Sequence, residues 1–173
     1  MKNTNTKERV LELMFNFPTK RFYLREISRI VKISPSAVSR ALRELETEGM
    51  LISVKKVTYE VRANLSNQSF KNMKRVHNLK MIYASGLFEY LIDNFPLGTI
   101  VLFGSYSRGE DIEKSDIDLA VINSKEKKLD LEGYEKKLNR KINLEFLNLE
   151  KISKELRDSI INGIVLNGYI NLK

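Results

Sequence analysis

The sequence predicts an α+β protein of two small domains joined by a long helix. Three observations lead there. Apolar residues recur at helical spacing through most of the first 50 positions, then alternate with polar ones over 57–63. A helical pattern runs over 66–94. Beyond it, apolar runs at 100–103, 116–122 and 142–147 read as strands between polar loops and helical stretches. The expected boundaries are therefore 1–65, 66–94 and 95–173.

Composition narrows the function classes. The chain has 173 residues, 42% hydrophobic and 30% charged, which suits a folded globular protein. No apolar run approaches the ~20 residues needed to cross a bilayer, so no membrane is expected. The first residues lack an apolar signal core, and the expected location is the cytoplasm. With no cysteine, disulfides, thiolate zinc sites and a cysteine nucleophile are excluded, and a single histidine argues against a His-rich metal site or a Ser-His-Asp triad. The net charge is +8, but residues 1–65 hold 13 Lys/Arg against 7 Asp/Glu. Such asymmetry points to a nucleic-acid-binding module joined to something else, the alternative being a solvated basic surface.

In the first domain, Val10, Leu11, Met14 and Phe15 define one helix, with Thr6 as its expected N-cap, and Pro18 ends it. A second helix over 24–31 is expected to bury Ile27, Ile30 and Val31. Ser34-Pro35 then supplies an N-cap and a first-turn proline for a third helix. That helix should bury Val38, Ala41, Leu42 and Leu45 and expose Ser36, Ser39, Arg40 and Arg43. Gly49 closes it. Two strands follow, over 50–54 and 57–63, with Lys55-Lys56 between them.

This order, with Leu24-Arg25-Glu26-Ile27, Ser34-Pro35-Ser36-Ala37-Val38-Ser39-Arg40 and Glu48-Gly49-Met50-Leu51, resembles the winged helix-turn-helix of small bacterial and archaeal regulators. The resemblance implies double-stranded DNA as a partner. Ser36, Ser39, Arg40 and Arg43 would meet the major groove, and Lys55 and Lys56 the phosphate backbone. A winged helix used only for protein contacts is the alternative.

Over 66–94, Phe70, Met73, His77, Met81, Ala84, Phe88, Leu91 and Phe95 recur in steps of three and four, a heptad-like stripe. Such a helix would pack on the second domain or pair with its twin in a homodimer. Ser85-Gly86 is a weak point where it would bend. His77 reads as a packed or partly exposed interface residue.

The chemistry lies in the last domain. The apolar run 100–103 ends on Gly104-Ser105, a turn whose backbone N–H groups suit phosphate. After ten intervening residues comes Asp116-Ile117-Asp118 at the head of the next strand. Residues i and i+2 of a strand share a face, so the two carboxylates stand side by side, about 7 Å apart along the backbone. They repel unless a cation lies between them, and a divalent metal is the natural occupant. A later strand carries Glu145 between Leu144 and Phe146.

Together, Leu102-Phe103-Gly104-Ser105-Tyr106-Ser107-Arg108-Gly109, Ser115-Asp116-Ile117-Asp118-Leu119-Ala120-Val121 and Glu145 resemble the DNA polymerase β-type nucleotidyltransferase superfamily. More narrowly they resemble its minimal nucleotidyltransferases, the MNT proteins. The resemblance implies a small α/β domain with a mixed sheet. It also implies two Mg²⁺ ions, and a nucleoside triphosphate, ATP, as substrate. Asp116, Asp118 and Glu145 would be the metal-holding catalytic acids, with Gly104, Ser105 and Arg108 on the phosphates. Related families often place Asp where this chain has Glu145. The smallness of the domain points to an acceptor on another macromolecule. MNT antitoxins fit that expectation, since they adenylylate HEPN-type toxins. Two other readings stay open, a transcription regulator whose second domain senses nucleotide and a transferase acting on a small molecule or RNA.

Overall fold

The computed structural model describes residues 6–55 and 59–171, with fifteen elements among them. The chain divides into two compact units, 1–74 and 75–173. No helix among the described residues is long and apolar enough to cross a membrane.

In the first unit, α1 (Thr6–Asn16), α2 (Leu24–Val31) and α3 (Pro35–Thr47) enclose one core. Val10, Leu11, Met14, Phe15, Ile27, Val38, Ala41, Leu42 and Leu45 are all buried in it. The Ser34 hydroxyl accepts from the amide of Ala37 (3.4 Å), and Pro35 takes the first turn, where no N–H is needed. A hairpin of β2 (Leu51–Lys55) and β3 (Tyr59–Ala63) follows. A two-residue strand, β1 (Phe22–Tyr23), joins β3 from the other side. It is too short to leave a pattern in sequence. One expected core residue is not in the core. Ile30 is 48% exposed, because the inward face of α2 is made by Leu24, Ile27, Ser28 and Val31. Thr6 is helical rather than the cap.

The expected long helix is two helices, α4 (Gln68–Ser85) and α5 (Leu87–Asn94). They meet at Gly86, whose φ of +82° is left-handed and cannot continue a right-handed helix. The heptad-like stripe is also displaced on α4. Met73 and Ala84 are exposed, whereas Phe70, Asn78, Ile82 and Ser85 are buried. Asn78 and Ser85 escape an apolar pattern because they are polar, and they are buried because they are hydrogen-bonded.

The second unit is built on a four-stranded mixed sheet. Its strands are β4 (Thr99–Phe103), β5 (Ile117–Ile122), β6 (Ile142–Leu147) and β7 (Ile164–Asn167), in the order β6-β5-β4-β7. β4 is antiparallel to β5 and β7, and β5 is parallel to β6. One apolar cluster joins Leu87 and Leu91 of α5 to Ile100, Leu102, Ile117, Leu119 and Val121. Another joins Val101, Phe103, Ala120 and Ile122 to Ile160 of α8 (Lys154–Ile161). These alternating sets are the two faces of the sheet. α8 starts at Lys154, where the Ser153 hydroxyl accepts from the amide of Leu156 (3.3 Å). The remaining helices are α6 (Gly104–Arg108) and α7 (Glu132–Leu138).

Candidate functional sites

Strand direction gathers the acidic residues and the Gly-Ser turn. Because β4 and β5 are antiparallel, the end of β4 lies beside the start of β5, with Phe103 opposite Asp118. Because β6 is parallel to β5, its start lies there too, with Asn143 opposite Asp118 and Glu145 opposite Ala120. Paired residues share a face, so Asp118, Asn143 and Glu145 all stand on the face of Val101 and Phe103.

Gly104 follows Phe103 directly and turns over Asp118. Its φ is +71°, and a Cβ there would overlap the Asp118 carboxylate, lying 3.1 Å from Cγ and nearer still to Oδ2. Glycine is thus required twice, by backbone conformation and by space. α6 begins on Gly104 itself, and no side chain caps it. Its first N–H groups are therefore available to an anion, with the Ser105 hydroxyl beside them. Ser107 turns inward and donates to the carbonyl of Gly104 (2.9 Å). Arg108 pairs with Glu110 (2.9 Å), both partly exposed.

Asp116 is exposed and lies one residue before β5, while Asp118 is half-buried within it. Asn143 Nδ2 donates to Asp118 Oδ1 (3.4 Å) and to Glu145 Oε1 (3.2 Å). Among the described residues no three acidic or imidazole groups close into a metal-holding cluster. Asp116 and Asp118 stand at the start of β5, and Glu145, in the middle of β6, is linked to Asp118 through Asn143. Their donors are hard carboxylate oxygens, with a hydroxyl at Ser105, and the sole histidine lies on α4. That donor chemistry fits Mg²⁺ or Mn²⁺.

The loop joining α6 to the Asp pair is held by a buried polar network that sequence reading missed. Asp111 is buried and accepts from Asn78 Nδ2 (2.7 Å) and Arg140 Nη2 (3.2 Å). Asn78 Nδ2 also reaches the carbonyl of Tyr106 in α6 (2.9 Å), and Arg140 donates to the carbonyl of Glu113. Burial, then the charge of Asp111, pushes the Tyr106 hydroxyl well up, with Arg140 opposing, so it stays protonated. Nothing about Asp111 in sequence separates it from the solvated acids of its loop.

In the first unit, Ser36, Arg40 and Arg43 are exposed on α3 and line, with Glu44, Thr47 and Glu48, a concavity of about 530 Å³. Arg43 Nη2 donates to the half-buried Ser39 (3.3 Å). Lys55 is the last residue of β2, and Lys56 lies outside the described residues. Three further cations are exposed, Arg25 and Arg29 on α2 and Lys32 as its C-cap. They recur at steps of four and three, a signal present in sequence. In a helix-turn-helix this is the helix that crosses the phosphate backbone.

Residues 86–168 match the family described as polymerase beta, nucleotidyltransferase, and residues 24–52 match that described as winged helix-turn-helix DNA-binding. No curated protein and no solved structure matches the chain.

Proposed function

Starting from a polymerase β-type nucleotidyltransferase domain carried behind a winged helix-turn-helix, we propose that this protein is a Mg²⁺-dependent transferase. It moves AMP from ATP onto a hydroxyl of a partner macromolecule. The observation that carries this is the seating of the Asp118 carboxylate in the space left by Gly104. It makes the phosphate turn and the acidic strand one site.

Asp116, Asp118 and Glu145 would hold two Mg²⁺ ions. When bound, the metal supplies positive charge against the attacking and leaving oxygens. The α6 amides and Ser105 bind the β- and γ-phosphates. Arg108 neutralises them by exchanging its exposed partner Glu110, a pairing worth only about 0–1 kcal/mol. The acceptor oxygen attacks the α-phosphorus, its proton leaves towards Glu145, and the bond to pyrophosphate breaks.

The acceptor we assign is a HEPN-type toxin, on the resemblance of the 102–109 and 115–121 segments to MNT antitoxins. The winged unit would then bind the promoter of its own operon as double-stranded DNA, with two copies on two half-sites if the chain pairs as a homodimer. The test is transfer of label from α-labelled ATP to a co-expressed HEPN protein, with Asp118→Ala as control. Label on the partner with wild type and none with the variant supports the reading. No label on any protein, with either enzyme, overturns it. Competition by the other three triphosphates fixes the base.

A further inference from the structure

The position directly across from Asp118 on β6 is held by an amide, Asn143, and Glu145 lies one pleat further on, level with Ala120. The Asn143 nitrogen is within 3.4 Å of Asp118 Oδ1 and 3.2 Å of Glu145 Oε1. Two carboxylates on neighbouring strands are thus brought onto one small donor. The donor stands beside both acids, where a third ligand of a cation shared by them would stand. Resting on the nucleotidyltransferase reading above, we propose that Asn143 is itself a ligand of the divalent cation, completing the set made by Asp116, Asp118 and Glu145.

The chemistry needs no backbone movement. An amide carries a donor and an acceptor on one carbon, and half a turn about its terminal torsion exchanges Nδ2 for Oδ1 at the same place. The side chain is exposed, so neighbouring packing leaves that turn free. As a donor it holds the two acids together; as an acceptor it faces a cation held between them. Amide carbonyl oxygens are ordinary ligands for hard cations. A neutral ligand opposite Asp118 also keeps the local negative charge lower than a further carboxylate would. Part of the charge balance then falls to the phosphates of the nucleotide.

The probe is Mn²⁺, titrated calorimetrically into the EDTA-stripped full chain with a non-transferable α,β-methylene ATP analogue present. Wild type is compared with Asn143→Ala, Asn143→Asp and Asp118→Ala. Loss of an oxygen ligand in Asn143→Ala should weaken Mn²⁺ about tenfold or more. Asn143→Asp keeps an oxygen and should bind at least as tightly as wild type. Equal weakening in both Asn143 variants would mean that only the N–H matters, and would overturn ligation. So would an Asn143→Ala protein that binds like wild type. In either case, loss of Mn²⁺ binding in Asp118→Ala leaves the nucleotidyltransferase reading standing. If wild type takes up no Mn²⁺ beyond that held by the nucleotide alone, both fall. Thermal unfolding by circular dichroism in EDTA checks that each variant is folded.

Discussion

The Asp118 carboxylate lies where a side chain at Gly104 would have to go, so one residue's lack of a Cβ sets the position of another's charge. Gly104→Ala should therefore do more than strain a turn. The left-handed φ costs on the order of 1–3 kcal/mol for alanine. The methyl would also drive Asp118 off the face it shares with Glu145. The expected outcome is at least a tenfold loss of label transfer with a modest fall in thermal stability. Transfer unchanged in a folded Gly104→Ala protein would show that Asp118 need not stand against the turn.

On α3, Arg40 and Arg43 are exposed, and under the proposed reading this helix would enter the major groove. Each arginine contacting a phosphate contributes about one to the slope of log affinity against log salt. Arg40→Ala and Arg43→Ala should each weaken binding to a duplex from the protein's own upstream region. Each should flatten the slope by about one if it meets phosphate. An arginine that reads a base edge instead leaves the slope and costs about 1–3 kcal/mol of discrimination at one position. Fluorescence anisotropy at three or more salt concentrations separates the two. Arg29→Ala on α2 should behave as a phosphate contact.

Legibility in sequence followed how local the cause was. Ser34-Pro35 fixes the start of α3 through its own side chain and ring, and the helix begins there. Gly86 breaks the predicted long helix for an equally local reason, a left-handed φ. Asp116, Asp118 and Glu145 could be picked out because acids interrupting apolar strands are conspicuous. What brings Asp118 to Glu145 could not be read. It depends on the register of β5 with β6, which puts Asn143 and not Glu145 beside Asp118. Asp111 and Asn78 were hidden for the same reason. Their burial is set by partners 29 to 33 residues away in sequence, and a pattern of apolar residues cannot show it. Ile30 misled in the opposite direction, an apolar residue left outside by the turn of a short helix.

The Asp111–Arg140 pair gives a stability prediction for the second unit. Both side chains are nearly out of solvent, at 1% and 8% exposure, so the screening that weakens surface pairs does not apply. Removing one partner leaves an uncompensated buried charge, which costs about 3–5 kcal/mol. Arg140→Ala should lower the urea midpoint of the second unit's transition strongly. The double variant Asp111→Leu, Arg140→Met should recover much of the loss, since an apolar pair leaves no charge buried. A double variant as unstable as Arg140→Ala would mean that the network's hydrogen bonds to Asn78 and to the carbonyl of Glu113 carry the stability instead. Far-ultraviolet circular dichroism follows the unfolding, because the chain has no tryptophan.

Tyr59 gives the pH dependence. Its hydroxyl donates to the Glu46 carboxylate of α3 from the first residue of β3, so it ties the hairpin to that helix. Burial, then the neighbouring carboxylate, pushes its pKa up to about 12. An unfolded tyrosine loses its proton near pH ~10. Between those values the folded chain binds the proton more tightly than the unfolded one. The stabilisation is therefore complete below pH ~10 and is lost as pH rises towards about 12. The wild-type first unit should lose stability across that window, while Tyr59→Phe, less stable at neutral pH, should lose less of what it has. Absorbance at the phenolate band checks the premise directly. Of the seven tyrosines, one signal that is absent in Tyr59→Phe should titrate late. If that signal titrates with the exposed tyrosines, the bond to Glu46 does not hold the hydroxyl in solution.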